Sequence, residues 1–370
     1  MPYRTEPEVH AVRAAAYVLP TDAPEADGTL SWDSTTLVVC EVAAGGVTGL
    51  GYTYAHQACV PLIEGKLAPL VTGRDALDVG GSFAAMHREI RNLGRPGLVA
   101  CSLSAVETAL HDAKARLLDV SLASLFGRCH EATPVYGSGG FTSYDDEQTR
   151  AQLQRWTHEQ RIPRAKIKIG ESWGARVERD LHRVALAREV AGDTVDLYVD
   201  ANGGYGVAQA VRVGHAVAEY GVTWFEEPVS SDHLAGLRQV RSQVTPDVTA
   251  GEYGYHLPYF AGMLEAQAVD CLQIDVTRCG GYGEWLRAAA VAAGYSIDIS
   301  GHCAPNLSAH VAVATPNLRH LEYFHDHDRI ERMLFDGALE PDGGAMRPDL
   351  SRPGHGLSLR HADAERYRVR

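Results

Sequence analysis

From about residue 133 onward, short β-rich runs alternate with helical patterns, and this alternation constrains the fold more than any other feature. The candidate strands are 133–140, 165–170, 196–203, 223–228, 248–252, 271–275, 296–302 and 321–324. Helical stretches such as RVERDLHRVALAREVAG and GEWLRAAAVAAG lie between them. Units of this kind in series predict parallel strands closed into a barrel. In such a barrel the active site forms at the C-terminal ends of the strands.

Those ends carry ionisable residues: Lys166 and Lys168, Asp200, Glu226, Glu252, Asp275, His302 and Glu322. Counted from Lys168, the intervals are 32, 26, 26, 23, 27 and 20 residues, each the length of one βα unit. Taken singly, each has a structural explanation, Asp200 as a helix cap or Lys168 as a strand-end charge. Their serial register favours a functional reading, because charges at apolar strand ends are costly unless paired or metal-bound.

Asp200, Glu226 and Glu252 come from three adjacent candidate strands. Three carboxylates without Cys or His suit a hard cation, Mg²⁺ or else Mn²⁺. Asn202, two residues beyond Asp200, falls on the same face if the strand continues and is placed to support metal or substrate. Lys166 and Lys168 share a strand face, so repulsion from Lys166 and the nearby metal are both expected to lower the pKa of Lys168 toward that of a usable base, with Lys166 a fixed charge. Asp275 and His302 end consecutive strands, and a carboxylate beside an imidazole orients it as an acid or base. Glu322, if held protonated, would donate a hydrogen bond. Two bases about a divalent ion fit removal of a proton α to a carboxylate. The resulting enediolate is then reprotonated or loses a β-hydroxyl.

The first 130 residues read differently. Strands are expected at 9–19, 34–43 and 47–54, then helices at about 57–70, 80–92 and 100–119, which together indicate an α+β domain. Residues 20–32 (PTDAPEADGTLSW) and 50–56 (LGYTYAH) read as mobile loops.

A formal charge of −13 makes nucleic acid and anionic membranes poor partners. No run approaches 18 apolar residues and the start, MPYRTEPEVH, has no apolar leader core. Seven cysteines without a CxxC pair read as free thiols, so a cytoplasmic protein is expected. HDHD at 325–328 has metal-ligand residue types but reads as a solvated loop after the last strand. The Gly-rich runs at 137–140 and 278–283 match neither GxGxxG nor a P-loop.

The motifs KIK (166–168), DAN (200–202), WFEEP (224–228), GE (251–252), ID with RCGG (274–281), SGH with SAHVAVATP (300–316) and HLE (320–322) resemble the mandelate racemase subgroup of the enolase superfamily. The resemblance covers essentially the whole chain. It implies a modified (β/α)₇β TIM-like barrel over about 131–339. An N-terminal α+β capping domain would span 1–130, joined by the C-terminal segment from about 340 to 370. It also implies Asp200, Glu226 and Glu252 as metal ligands, Lys168 and the His302–Asp275 pair as bases, Lys166 as the carboxylate-binding neighbour and Glu322 as the electrophilic acid. The family's substrates are small carboxylates, and a homo-oligomer is expected. Two capping-domain loops read the substrate's far end in the family, here 20–32 and 50–56. With Trp32 as the apolar exception, their polar side chains, among them Tyr52, Tyr54 and His56, suit a polyhydroxylated acid. Dehydration of a sugar acid is therefore preferred over racemisation or lactone cycloisomerisation.

Overall fold

A computed structural model describes residues 7–369. The first six residues of the expected 1–130 unit, including most of the stretch read as lacking a leader, lie outside the described residues. The capping region is an antiparallel sheet, β1 (Val9–Ala26), β2 (Ser31–Ala44) and β3 (Val47–Tyr54), in the order β1-β2-β3. Its alternating apolar residues, Val38, Cys40 and Val42 among them, are fully buried under the helix Leu98–Leu117. That helix lies directly on β3: a Cβ on Gly49 would stand 2.2 Å from Ala109 O. The helical pattern expected at 57–70 forms as Cys59–Val71, one run whose middle turn widens into a π segment.

The loop expected at 20–32 is instead mostly strand. β1 and β2 pair out to Ala26 and Ser31, with a register shift between Pro20 and Glu25. Pro20 and Pro24 mislead because β1 is an edge strand, where a missing N–H costs no ladder bond. Only residues 27–30 turn; the Asp27 carboxylate accepts from the Thr29 and Leu30 amides at 2.5 and 2.7 Å. The turn rests on the barrel rim. A Cβ on Gly28 would meet Ala201 O at 2.7 Å and Ile169 O at 2.8 Å, and Gly28 O accepts from the Trp173 amide. The segment 50–56 likewise belongs mainly to β3 rather than to a loop.

All eight expected barrel strands form: β4 (Thr133–Gly139), β5 (Arg164–Lys168), β6 (Asp196–Asp200), β7 (Val222–Glu226), β8 (Asp247–Ala250), β9 (Cys271–Ile274), β10 (Asp298–Gly301) and β11 (Leu318–Phe324). Each pairs in parallel with the next, and β11 pairs with β4 to close the barrel. Inside, Tyr136, Tyr198, Trp224 and His320 form an aromatic layer beneath the strand ends, with Lys166 Nζ 5.2 Å from the Tyr136 ring centre. Near the C-terminal end, Val369 N donates to Ala16 O and Val18 N to Tyr367 O, so residues 367–369 lie along the free edge of β1.

HDHD is not a solvated loop. It opens the helix His325–Leu334, and Asp326, His327 and Asp328 are buried. The capping sheet covers this turn: Thr35 bonds Asp326, and the Tyr54 and His327 rings stack with centres 3.4 Å apart. Among the described residues no helix is long and apolar enough to cross a membrane.

Candidate active site

The parallel ladder places three of the expected residues side by side. Lys168 pairs with Asp200 across β5–β6, and Asp200 with Glu226 across β6–β7. Glu252, Asp275 and His302 each follow the end of β8, β9 or β10, and Glu322 lies within β11. Every one of these side chains is buried. Lys168, Glu252, His302 and Glu322 line a cavity of about 450 Å³ between barrel and cap, together with Trp32, Tyr54, His56 and Asn202.

Lys166 Nζ bridges Glu226 Oε1 at 2.6 Å and Glu322 Oε1 at 2.8 Å, with Asp200 Oδ2 at 3.8 Å. Burial presses its pKa down, but Glu226, Glu322 and Asp200 outweigh that and hold it well above the ordinary value. Lys168 bonds Asp200 directly. Its pKa was expected to fall through repulsion from Lys166; the direction is the reverse. Burial and Lys166 do lower it, yet the Asp200 carboxylate on Nζ raises it further. Glu226 is pushed up to about 7, mainly by burial.

Oxygens of Asp200, Glu226 and Glu252 all lie within 4.8 Å of one another. Glu252 Oε2 is buried and makes no hydrogen bond, although His302 Nε2 stands 3.3 Å away. An orphaned carboxylate oxygen among three converging acids is what an oxygen-liganded divalent cation satisfies, so these residues fit Mg²⁺.

His302 Nδ1 meets Asp275 Oδ2 at 2.8 Å. Asp275 Oδ1 accepts from Thr277 N and Oγ1, both at 2.7 Å, which holds the carboxylate in place. Burial lowers the imidazole pKa, but Glu252, Glu322 and Asp275 together raise it above the ordinary value. Glu322 departs from the protonated donor expected of it. Burial raises its pKa, but Lys166 and His302 drive it well below the ordinary value, which favours the charged form. It accepts from Ser138 Oγ at 2.6 Å and from the Cys303 amide at 3.0 Å.

Two expectations on substrate contact change. Tyr52 is fully buried and lies outside the cavity lining; its hydroxyl donates to Glu331 Oε1 at 2.8 Å and its ring stacks on Phe335. Tyr52 and Tyr54 share a face of β3 and both hydroxyls reach Glu331, but Tyr52 sits deeper in the cap–barrel joint and only Tyr54 reaches the cavity. Asn202 does line the cavity, but β6 ends at Asp200 and Asn202 turns to φ +44°, so strand alternation is not what places it. Its backbone N–H donates to Asp200 Oδ1 at 2.8 Å.

The structure adds neighbours the sequence reading left out. Arg278 lines the cavity, reaching Glu252 Oε1 and Asp275 Oδ2 at 3.4 Å each. Cys303 Sγ lies 3.4 Å from His302 Nε2 and 3.2 Å from Glu322 Oε2. Glu227, at φ +37°, is fully buried with Oε1 unpartnered, and burial and Glu252 raise its pKa well above the ordinary value. The signals in the sequence were the doubled acid in WFEEP, Arg278 at the start of RCGG and Cys303 directly after SGH.

Comparison with known proteins supplies the family. Residues 13–127 match the mandelate racemase / muconate lactonizing enzyme N-terminal domain, and residues 148–364 the enolase C-terminal domain-like family. The chain belongs to the mandelate racemase / muconate lactonizing enzyme family of the enolase superfamily. A mandelate racemase/muconate lactonizing enzyme-like protein from Rubrobacter xylanophilus superposes with a TM-score of 0.95 at 47% identity, over 98% of this chain and 100% of that one. A 3,6-anhydro-α-L-galactonate cycloisomerase of Streptomyces coelicolor is 28% identical over 95% of this chain and 97% of its own length. A Bradyrhizobium enolase, complexed with magnesium and mandelic acid, superposes with a TM-score of 0.90 at 28% identity over 99% of both chains. Family members similar to this chain include acid-sugar dehydratases, cycloisomerases and a racemase. The chain is an enzyme of this superfamily.

Proposed function

We propose that this enzyme dehydrates a sugar acid to a 2-keto-3-deoxy acid by removing the proton α to its carboxylate, with Mg²⁺ held by Asp200, Glu226 and Glu252. The observation that carries the reading is the convergence of Lys168, His302 and Glu252 on one cavity, with Asp275 bonded to His302, and Asp200 and Glu226 within 4.8 Å of Glu252. When bound, the cation polarises the substrate carboxylate and makes the α-proton more acidic. Lys166, fixed between Glu226 and Glu322, presents a permanent positive charge to the developing enediolate. Lys168 and His302 are the two proton carriers; Lys168 would take the α-proton as the neutral amine it becomes once a cation claims the Asp200 carboxylate it now bonds. β5 and β10 stand three strands apart around one side of the barrel and five around the other, so the two approach the substrate from different directions. His302, its pKa raised and its ring oriented by Asp275, is suited to protonate the departing β-hydroxyl. Trp32, Tyr54, His56 and Asn202 are proposed to contact the rest of the substrate, and Ser34, Thr35 and Thr36 add hydroxyls to the same wall. The seven free thiols fit a cytoplasmic setting.

Cycloisomerisation of a sugar-acid lactone is the second reading, favoured by the similarity to two cycloisomerases at 28% and 30% identity. A panel of mono- and diacid sugars and their lactones, incubated with Mg²⁺, separates the readings. Formation of 2-keto acid supports dehydration. Lactone consumption without keto acid supports the second reading. Deuterium wash-in from D₂O with inversion and no keto acid would replace both with racemisation.

A further inference from the structure

Outside the strand-end site, three metal-ligating side chains meet where the capping hairpin touches the barrel. Asp22 and Glu25 lie on β1, and His325 opens the helix after β11. One ligand atom from each lies within 4.8 Å of the other two, with His325 Nε2 and Asp22 Oδ2 3.0 Å apart. Glu25 is fully buried. Its Oε2 accepts from Trp32 Nε1 at 2.7 Å, while its Oε1 has no partner. A buried carboxylate with half its acceptors unmet is costly. The neighbouring charges do not meet that need. Asp326 is bonded by Thr35 and, at 2.5 Å, by Arg329, whose guanidinium also donates to Pro20 O at 2.8 Å.

We propose that Asp22, Glu25 and His325 form a second cation site, for a divalent ion of the zinc class, which pins the outer end of the β1–β2 hairpin to the barrel. One imidazole with two carboxylates suits Zn²⁺, whereas the all-oxygen trio Asp200, Glu226 and Glu252 suits Mg²⁺. The site is clear of the reaction: its ligands come from the cap edge and the start of a helix. Its consequence for the cavity runs through Trp32, which lines the wall and is anchored by Glu25. The ion acts from behind that wall as a positioning device.

Zinc calorimetry on the full chain, stripped with chelator and then saturated with Mg²⁺, tests this. One Zn²⁺ per chain is expected to bind with micromolar affinity despite the Mg²⁺, and zinc-edge diffraction is expected to show a peak among the three side chains. Glu25→Gln keeps the acceptor for Trp32 but loses the charge, and His325→Ala removes the imidazole; each should weaken Zn²⁺ roughly 100-fold. Asp22→Asn, at a half-exposed position where folding is not at stake, should weaken it in the same direction. Glu226→Gln should leave it unchanged, which separates this site from the proposed Mg²⁺ ligands. Zn²⁺ uptake that Mg²⁺ abolishes, or that all three variants leave intact, overturns the proposal. So does a chain that takes up no Zn²⁺, in which case Glu25 is simply a protonated carboxyl.

Discussion

On the barrel side of the cavity, Lys166, Asp200, Glu226 and Glu322 are each at most 1% exposed and bonded to one another in a closed set of charges. On the cap side, Trp32, Tyr54 and His56 reach the same space with ring faces and polar tips, from partly buried or exposed positions. The difference has a physical origin. Charges taken out of water must compensate one another at fixed geometry, so any change propagates through the set. Side chains at a half-solvated lip carry no such debt and can vary with the substrate. In the proposed function, chemistry therefore belongs to the strand ends and discrimination to the hairpin.

The sharpest way to break this division is His302→Asn. Dehydration is expected to fall on the order of 1000-fold while Mg²⁺ still binds by calorimetry. Near-normal turnover would remove His302 from the chemistry.

The joint between the two regions is tested next. Glu331 accepts from Tyr52 of the cap and from Asn306, and burial pushes its pKa up to about 7 from an ordinary 4.5. A folded-state pKa above the unfolded one contributes stability that is whole below about pH 4.5 and lost as pH rises through 7. The stability of the wild type minus that of Glu331→Gln should therefore fall by roughly 3 kcal/mol between those limits, read from denaturant melts across pH. A flat difference would mean that Glu331 is ionised throughout.

Glu226→Gln should weaken Mg²⁺ by roughly 10–100-fold by calorimetry. Unchanged affinity would exclude Glu226 as a ligand. The smallest effect is expected at the lip. Trp32→Ala should raise KM about tenfold and reorder the substrate panel with little change in kcat. A fall in kcat matching that of His302→Asn would erase the distinction between the two sides.

Much of this was legible in the chain. The alternation after residue 133 specified the barrel, and one ionisable residue per βα unit specified its lining, because a parallel ladder brings equivalent strand positions into line. The capping hairpin was not legible. Pro20, Pro24 and Gly28 imitate a loop, and only pairing with β2 and contact with the barrel rim show an edge strand with a four-residue tip. HDHD was misjudged for a related reason, since its burial comes from the capping sheet more than 270 residues earlier.

Residue identity by itself settled which groups line the strand ends, since the order of β and α segments leaves a parallel barrel little freedom of register. Protonation and partnership were decided only by the folded arrangement. Lys168 is tied to Asp200 because the two lie against each other, Glu322 is drawn toward its charged form because Lys166 lies against it, and Tyr52 serves the joint because its side of β3 faces Glu331. Such properties depend on distances of a few ångströms between segments far apart in the chain, where electrostatic energy changes steeply and no local pattern records it.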